Sequence, residues 1–302
     1  MKQRLKFATR PSKLARWQTE WVIRELQNVW PGLECETIVI TTHGDRELER
    51  PLPEIGGKGL FTQELEAALS SRMVQAAVHS LKDLPIEPAE GLTIGAIPMR
   101  ADARDVLISL RDETLESLPL GARIGTSSLR RSAQLLALRD DFLIDPLRGN
   151  VDTRIRKLHS GQYAAIVLAG AGVSRLGYAD EITQWIPFES MLPAPGQGAL
   201  AIQCRQDDSD TLSLLGALDH ELTRRTVLAE RNFLAGLGGG CSLPVAAYAT
   251  SNGEEINLIG LALSEDGKAM IRLQANGRDP IELGRKLANQ AIEQGAGALL
   301  HV

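Results

Sequence analysis

Along the first two thirds of the chain, short apolar runs of strand length alternate with helical periodicities, the pattern of α/β domains. Leu5 to Thr9 reads as a first strand. Ser12 can then cap a helix whose Leu14, Trp17, Trp21 and Leu26 recur at helical spacing until Pro31-Gly32 stops it. The pattern predicts a second strand over Cys35 to Thr41, a glycine loop at Gly56-Gly57-Lys58-Gly59, and a helix over Phe61 to Ser70 with Leu65 and Leu69 on one face. Ala76-Ala77-Val78-His79 is a short apolar strand that delivers Ser80, Lys82 and Asp83 at its carboxyl end, where open α/β sheets place their ligands.

A second cycle begins near residue 101. It predicts strands at Asp105 to Ser109 and Arg123 to Gly125, a helix from Ser128 to Arg139, a strand at Phe142 to Ile144, a helix from Val151 to His159 capped by Asn150, and a strand at Ala164 to Ala169. The Pro/Gly-rich stretch from Met191 to Gly198 reads as a crossing segment, followed by a strand over Ala199 to Cys204. The last third changes character: one long helix, Leu222 to Leu237, precedes strands near Val245, Ile256 and Met270 and a helix after Pro280. The expected fold class is therefore α/β, with a smaller α+β domain at the end.

A chain of 302 residues exceeds the usual single-core limit, so several domains are expected. Hydrophobic content of 43% excludes a disordered chain, and no apolar run approaches the roughly 20 residues that cross a bilayer. The basic first 16 residues lack a signal peptide's apolar core, so Met1 is expected close to the mature start. Cys35, Cys204 and Cys241 are too few and too scattered for a disulfide framework, which fits a reducing cytoplasm. The five histidines show no ligand spacing, so no metal site is expected.

Net charge of -5 argues against nucleic acid as a partner for the whole chain. Between Gly121 and Ser160, however, seven arginines and Lys157 face four aspartates, a local charge of +4. Such an island suits a small anionic ligand. Within it lie two strand-to-helix junctions, Gly125-Thr126-Ser127-Ser128-Leu129-Arg130-Arg131 and Leu147-Arg148-Gly149-Asn150-Val151-Asp152-Thr153-Arg154. Each reads either as an ordinary capped helix with solvated arginines or as an anion site, since helix N-termini and arginine forks both favour carboxylates and phosphates.

Two further segments stay open on the residues alone. Ser80-Leu81-Lys82-Asp83-Leu84-Pro85 is either a loop salt bridge or a carboxylate placed to exchange a proton and stabilise positive charge. Cys241, in Leu237-Gly238-Gly239-Gly240-Cys241-Ser242-Leu243-Pro244, is either a packed thiol after a glycine helix stop or a reachable nucleophile. Gly170-Ala171-Gly172-Val173-Ser174-Arg175 nearly spells a dinucleotide fingerprint, but Arg175 stands at the third glycine position; Gly57-Lys58 lacks the Ser or Thr of a phosphate loop.

Together, and in this order, Ala8-Thr9-Arg10-Pro11-Ser12, Gly56 to Phe61, Val78 to Pro85, Gly125 to Arg131, Leu147 to Arg154, Leu192 to Ala199 and Gly239-Gly240-Cys241 resemble the porphobilinogen deaminase family over essentially the whole chain. The resemblance implies a cytoplasmic, monomeric transferase that condenses four porphobilinogen molecules, with loss of ammonia, into hydroxymethylbilane on a dipyrromethane primer. It implies two periplasmic-binding-protein-like α/β domains around a cleft, formed by 1–100 with 196–217 and by 101–195, plus a C-terminal domain over 218–302.

Carried over by motif, Cys241 anchors the dipyrromethane through a thioether and Asp83 is the catalytic carboxylate. Lys82, Asp83, Thr126, Ser128, Arg130 and Arg131 hold the cofactor, while Arg10, Ser12, Gln18, Arg148, Arg154 and Arg175 hold incoming or growing pyrroles. Lys58 and Phe61 belong to a candidate lid from about Thr42 to Gly59. This sequence departs from relatives there, with Glu54 and His43 at positions where a lysine and an arginine can stand. The competing readings are a two-domain polycarboxylate receptor, against which Cys241 and the missing export signal argue, and a nicotinamide-linked oxidoreductase resting on the imperfect glycine fingerprint.

Overall fold

A strand that is apolar at successive positions is buried on both faces, and the central strands of the two five-stranded sheets here are covered accordingly. The structure is a computed structural model that describes residues 4–46, 61–239 and 243–300. The chain divides into two compact units, Met1–Ala101 with Ala199–Arg224, and Asp102–Gly198 with Arg225–Val302.

The first unit is built on β1 (Arg4–Thr9), β2 (Glu34–Val39), β3 (Ala76–Ser80), β4 (Leu92–Ala96) and β10 (Leu200–Arg205), in the order β2-β1-β3-β10-β4. β1 runs parallel to β2 and β3, and β10 is antiparallel to β3 with Leu200 opposite Ser80. The carboxyl ends of β1, β2 and β3 thus share one edge with the start of β10. On one face α1 (Lys13–Val29) packs Val22 and Leu26 against Phe7, Val78 and Ile202; on the other, α3 (Gln63–Ser70) packs Leu65 and Leu69 against Ala8 and Ala77. Each fully buried leucine stabilises the unit by roughly 2 kcal/mol.

The buried stripe of α1 is not the predicted one. Ala15, Gln18, Thr19, Val22 and Leu26 face the sheet, whereas Trp17 and Trp21 are only half-buried. The polar members of the stripe are tolerated because Gln18 donates to Ser80 Oγ at 2.9 Å and Thr19 bonds Thr9 at 2.9 Å. A short helix, α2 (His43–Arg46), occupies the beginning of the segment read from sequence as a loop.

The second unit repeats the plan with β5 (Asp105–Ser109), β6 (Arg123–Gly125), β7 (Leu143–Asp145), β8 (Ala165–Ala169) and β9 (Gln184–Trp185), in the order β7-β6-β8-β5-β9. β6, β7 and β8 are parallel, so their carboxyl ends also share an edge; antiparallel β5 brings its first residue, Asp105, opposite Ala169 on that edge. From it spring α4 (Leu129–Leu138), α5 (Val151–His159) and α6 (Gly170–Arg175).

A three-stranded antiparallel sheet, β11 (Val245–Asn252), β12 (Glu255–Leu263) and β13 (Met270–Gly277), completes this unit. Phe233 of α8 (Glu221–Gly236) and Leu283 and Leu287 of α9 (Pro280–Glu293) cover one face of it with Leu258, and Ala246 and Leu261 pack against Ala133 of α4. Phe188 stacks on Tyr248 with ring centroids 4.0 Å apart. Among the described residues no helix is long and apolar enough to cross a membrane. The expected fold class, two α/β sheets and a smaller C-terminal α+β element, is what the chain forms.

Candidate active site

At the carboxyl edge of the first sheet, Arg10 follows β1 directly. Its Nε and Nη2 clasp Asp45 at 3.2 and 2.5 Å, and the Phe61 ring lies 4.2 Å from the guanidinium carbon. Asp45 also accepts from the backbone N–H and hydroxyl of Thr42, at 3.1 and 2.8 Å. Burial pushes the Asp45 carboxyl up, but Arg10 and Thr42 outweigh it and hold the group below the usual carboxylate range. Ser12 caps α1 by accepting from Ala15 N at 3.3 Å. His43 donates its backbone N–H to Glu64 at 2.7 Å.

Next to this, β3 ends at Ser80 and turns through a 3-10 segment, Leu81–Asp83, pinned by Leu81 N donating to Ala199 O at 3.0 Å. Lys82 is half-buried and engaged. Asp83 is exposed, and among the described residues its carboxylate takes no hydrogen bond or ion pair. No salt bridge therefore consumes the acid of this turn. His79, one strand position before Ser80, is buried; desolvation drives its imidazole down to about 4, partly opposed by Gln203 and reinforced by Arg10, so it is neutral at pH 7. Among the described residues its buried Nε2 and the buried Oε1 of Gln203 make no hydrogen bond of good geometry, so the influence of Gln203 on the imidazole is weak.

In the second unit the two arginine junctions meet at one edge. Ser127 Oγ donates to the carbonyl of Leu147 and accepts from its N–H, both at 3.0 Å, stapling one junction to the other. The sequence placed capping side chains here; Ser128 and Asn150 do occupy the N-cap positions of α4 and α5, but neither side chain caps. Ser128 instead donates its N–H to Thr126 Oγ1 at 3.2 Å. By contrast α1, α9 and α7 (Ser209–Gly216) are capped by Ser12, Asp279 and Asp208. The helix starts on this edge keep their first-turn donors clear of capping side chains.

Arg148 and Arg154 flank the second junction half-buried, with Arg154 Nε on the carbonyl of Gly149 at 2.7 Å and Lys157 on that of Arg148 at 3.2 Å. Arg175, closing α6, donates to Gly198 O at 2.8 Å, and burial lowers its guanidinium to about 10. Arg130 and Arg131 turn inward on fully buried Asp105. Arg130 Nη1 reaches Oδ2 at 2.7 Å and Leu192 O at 2.6 Å; Arg131 puts Nε and Nη2 on Oδ1 at 3.0 and 2.8 Å and Nη1 on Val167 O at 3.2 Å. Gln197 adds its amide to Oδ1 at 2.9 Å. Burial pushes the Asp105 carboxyl up, yet the two guanidiniums hold it far below the carboxylate range.

Sequence reasoning missed Asp45, His79, Asp105 and Gln197. For Asp105 a signal existed: an acid opening the apolar run Val106-Leu107-Ile108 needs a buried cation. Two predicted site segments, Lys58 in its glycine loop and Cys241 with its neighbours Gly240 and Ser242, lie outside the described residues, as does Glu54. Before Cys241 the end of α8 is described. Gly238 and Gly239 adopt φ of 90° and 56°, and Gly239 N bonds Leu234 O at 3.0 Å, so these two glycines do terminate the helix.

Two family models match the chain: "Porphobilinogen deaminase, dipyromethane cofactor binding domain" over residues 5–213, and "Porphobilinogen deaminase, C-terminal domain" over 224–293. A porphobilinogen deaminase of Brevibacillus brevis is 52% identical over 98% of this chain and 96% of its own length. That of Bacillus subtilis is 47% identical over 99% and 96%. Among solved structures, the methionine binding protein MetQ is similar at a TM-score of 0.44 and 12% identity, covering 71% of this chain and 89% of that one, a distant likeness.

Proposed function

The chain belongs to the porphobilinogen deaminase family, and from that premise we propose how its residues divide the work. The activity is hydroxymethylbilane synthesis: a transferase joins porphobilinogen units head to tail, with loss of ammonia, on a dipyrromethane cofactor. In the reading advanced here four units are added, the protein acts as a cytoplasmic monomer, and residues 218–302 form a third domain.

The donors present suit the cofactor. A dipyrromethane bearing an acetate and a propionate on each ring carries four carboxylates. The second sheet's edge offers uncapped helix starts, a buried cluster of two guanidiniums on one carboxylate, and Arg175, whose guanidinium burial lowers only to about 10 so that it keeps its charge at pH 7. Thr126, Ser128, Arg130 and Arg131, with Lys82, form the cofactor's cradle, and Cys241 is its covalent anchor. When bound, the cofactor supplies the pyrrole carbon to which the first substrate is joined. Arg10, Ser12, Gln18, Arg148, Arg154 and Arg175 hold substrate and product carboxylates; Lys58 and Phe61 belong to a covering segment.

Asp83 carries the proton chemistry. Loss of ammonia from an aminomethylpyrrole requires a proton on the leaving amine and leaves positive charge on the ring, and a carboxylate beside the pyrrole N–H can serve both needs. The observation that carries this choice is a contrast between three acids at the sheet edges. Asp45 is spent on Arg10 and Asp105 on Arg130 and Arg131, whereas the Asp83 carboxylate is exposed and, among the described residues, unspent. Simple capture of a polycarboxylate would give such an acid no task and would be weakened by its charge. Asp83→Ala should keep the cofactor's added mass yet lose turnover by about 100-fold or more, the usual contribution of a positioned acid-base group. Turnover within a few-fold of wild type would refute the assignment.

A further inference from the structure

Arginines in the first turn of a helix ordinarily extend into water. Arg130 and Arg131 are instead 5% and 6% exposed, drawn onto Asp105, which is 0% exposed and begins β5 on the same edge as the start of α4. The two arginines are not used alike. Arg131 spends all three guanidinium nitrogens, two on Asp105 and one on the carbonyl of Val167. Arg130 spends only Nη1, on Asp105 and Leu192, so among the described residues its Nε–Nη2 edge is committed to nothing. That edge has the two-pronged geometry that matches a carboxylate. Neither nitrogen is among the buried partnerless atoms, so the edge is open rather than sealed.

Charge gives the second half of the argument. Two guanidiniums and one carboxylate leave the cluster one positive charge in surplus. Without Asp105 the guanidiniums would repel each other in a low-dielectric site and turn outward. Without Arg131 the remaining pair would be neutral and would hold an anion weakly.

We propose that Asp105 and Arg131 are positioning residues for the cofactor: together they fix Arg130 so that its Nε–Nη2 edge grips one dipyrromethane carboxylate, and they set the cluster's surplus at one positive charge. This rests on the cofactor reading above and refines it, because Arg131 then acts through Asp105 rather than on the cofactor.

The test is the fraction of freshly purified protein that carries the dipyrromethane mass, read by intact-protein mass spectrometry, in Asp105→Asn, Arg131→Gln and the double variant. Each single change should lower the loaded fraction about tenfold, Asp105→Asn by letting the two guanidiniums repel each other and turn away from the cofactor, and Arg131→Gln by abolishing the positive surplus. The double variant restores both the surplus and an Asn–Gln hydrogen-bonding pair, and should return to within about threefold of wild type. Should either single variant fail to fold, the double variant compared with wild type decides. A double variant loaded no better than the singles, or an Asp105→Asn protein loaded as fully as wild type, overturns the inference while a loaded wild type leaves the cofactor reading standing. A wild-type chain without the added mass overturns both.

Discussion

His79 makes the first unit sensitive to acid in a way that can be isolated. The imidazole is 6% exposed and held neutral, with burial lowering it from about 6.5 in the unfolded chain to about 4. Between those two pH values the unfolded state binds a proton that the folded state refuses. The stability contributed by the neutral form is therefore fully present above pH 6.5 and is lost as pH falls toward 4. Each pH unit in that window costs about 1.4 kcal/mol, so the whole descent amounts to roughly 3 kcal/mol. His79→Leu removes the titration. At pH 7 its cost should be small, about 1 kcal/mol or less, because the deleted Nε2 has no hydrogen bond to lose. Urea unfolding of wild type and variant at pH 7, 6, 5 and 4.5 supplies the comparison, with other carboxylates titrating equally in both. Their free energies should converge and cross as pH falls, the variant gaining on wild type by about 2 kcal/mol at pH 4.5. Parallel profiles would show that the folded imidazole takes up its proton near the ordinary value and that the burial argument is wrong.

Other expectations concern how the arginines are held. Asp45→Asn leaves Arg10 with one neutral acceptor in place of a bidentate carboxylate, and the KM for porphobilinogen should rise about tenfold with kcat little changed; an unaltered KM would remove Asp45 from substrate binding. The same change should matter less for stability at acid pH, because a carboxyl held below its ordinary value stabilises the fold above the unfolded value of about 4 and loses that contribution as pH drops through the folded one. Ser127→Ala cuts both bonds to Leu147, so calorimetry should find the midpoint lower by a few degrees, in line with about 1 to 2 kcal/mol; an unmoved midpoint would mean the two junctions are held together by their backbones alone.

The central strands were legible because burial writes itself into sequence: Ala76–Ser80 and Ala165–Ala169 are short, largely apolar runs. β4 escaped notice since Thr93 and Gly95 dilute its pattern, and the stripe of α1 was misplaced since Gln18 and Thr19 are buried by bonds to residues elsewhere in the sequence. The site divided along the same line. Asp83, Arg148 and Arg175 are proposed from motifs that the family resemblance picks out, whereas the pairing of Asp105 exists only through partners 25, 26 and 92 positions away. Helix caps were over-read at Ser128 and Asn150: the residue types mark the N-cap position, yet whether the side chain turns back depends on the junction around it.

The central claim is a pyrrole primer fixed to one thiol, and the mass of the intact chain tests it most directly. Wild-type protein, freshly purified, should exceed its sequence mass by one dipyrromethane, and Cys241→Ala should weigh its sequence mass alone. A fully active wild-type chain with no added mass, or an added mass that survives the loss of Cys241, would contradict the account.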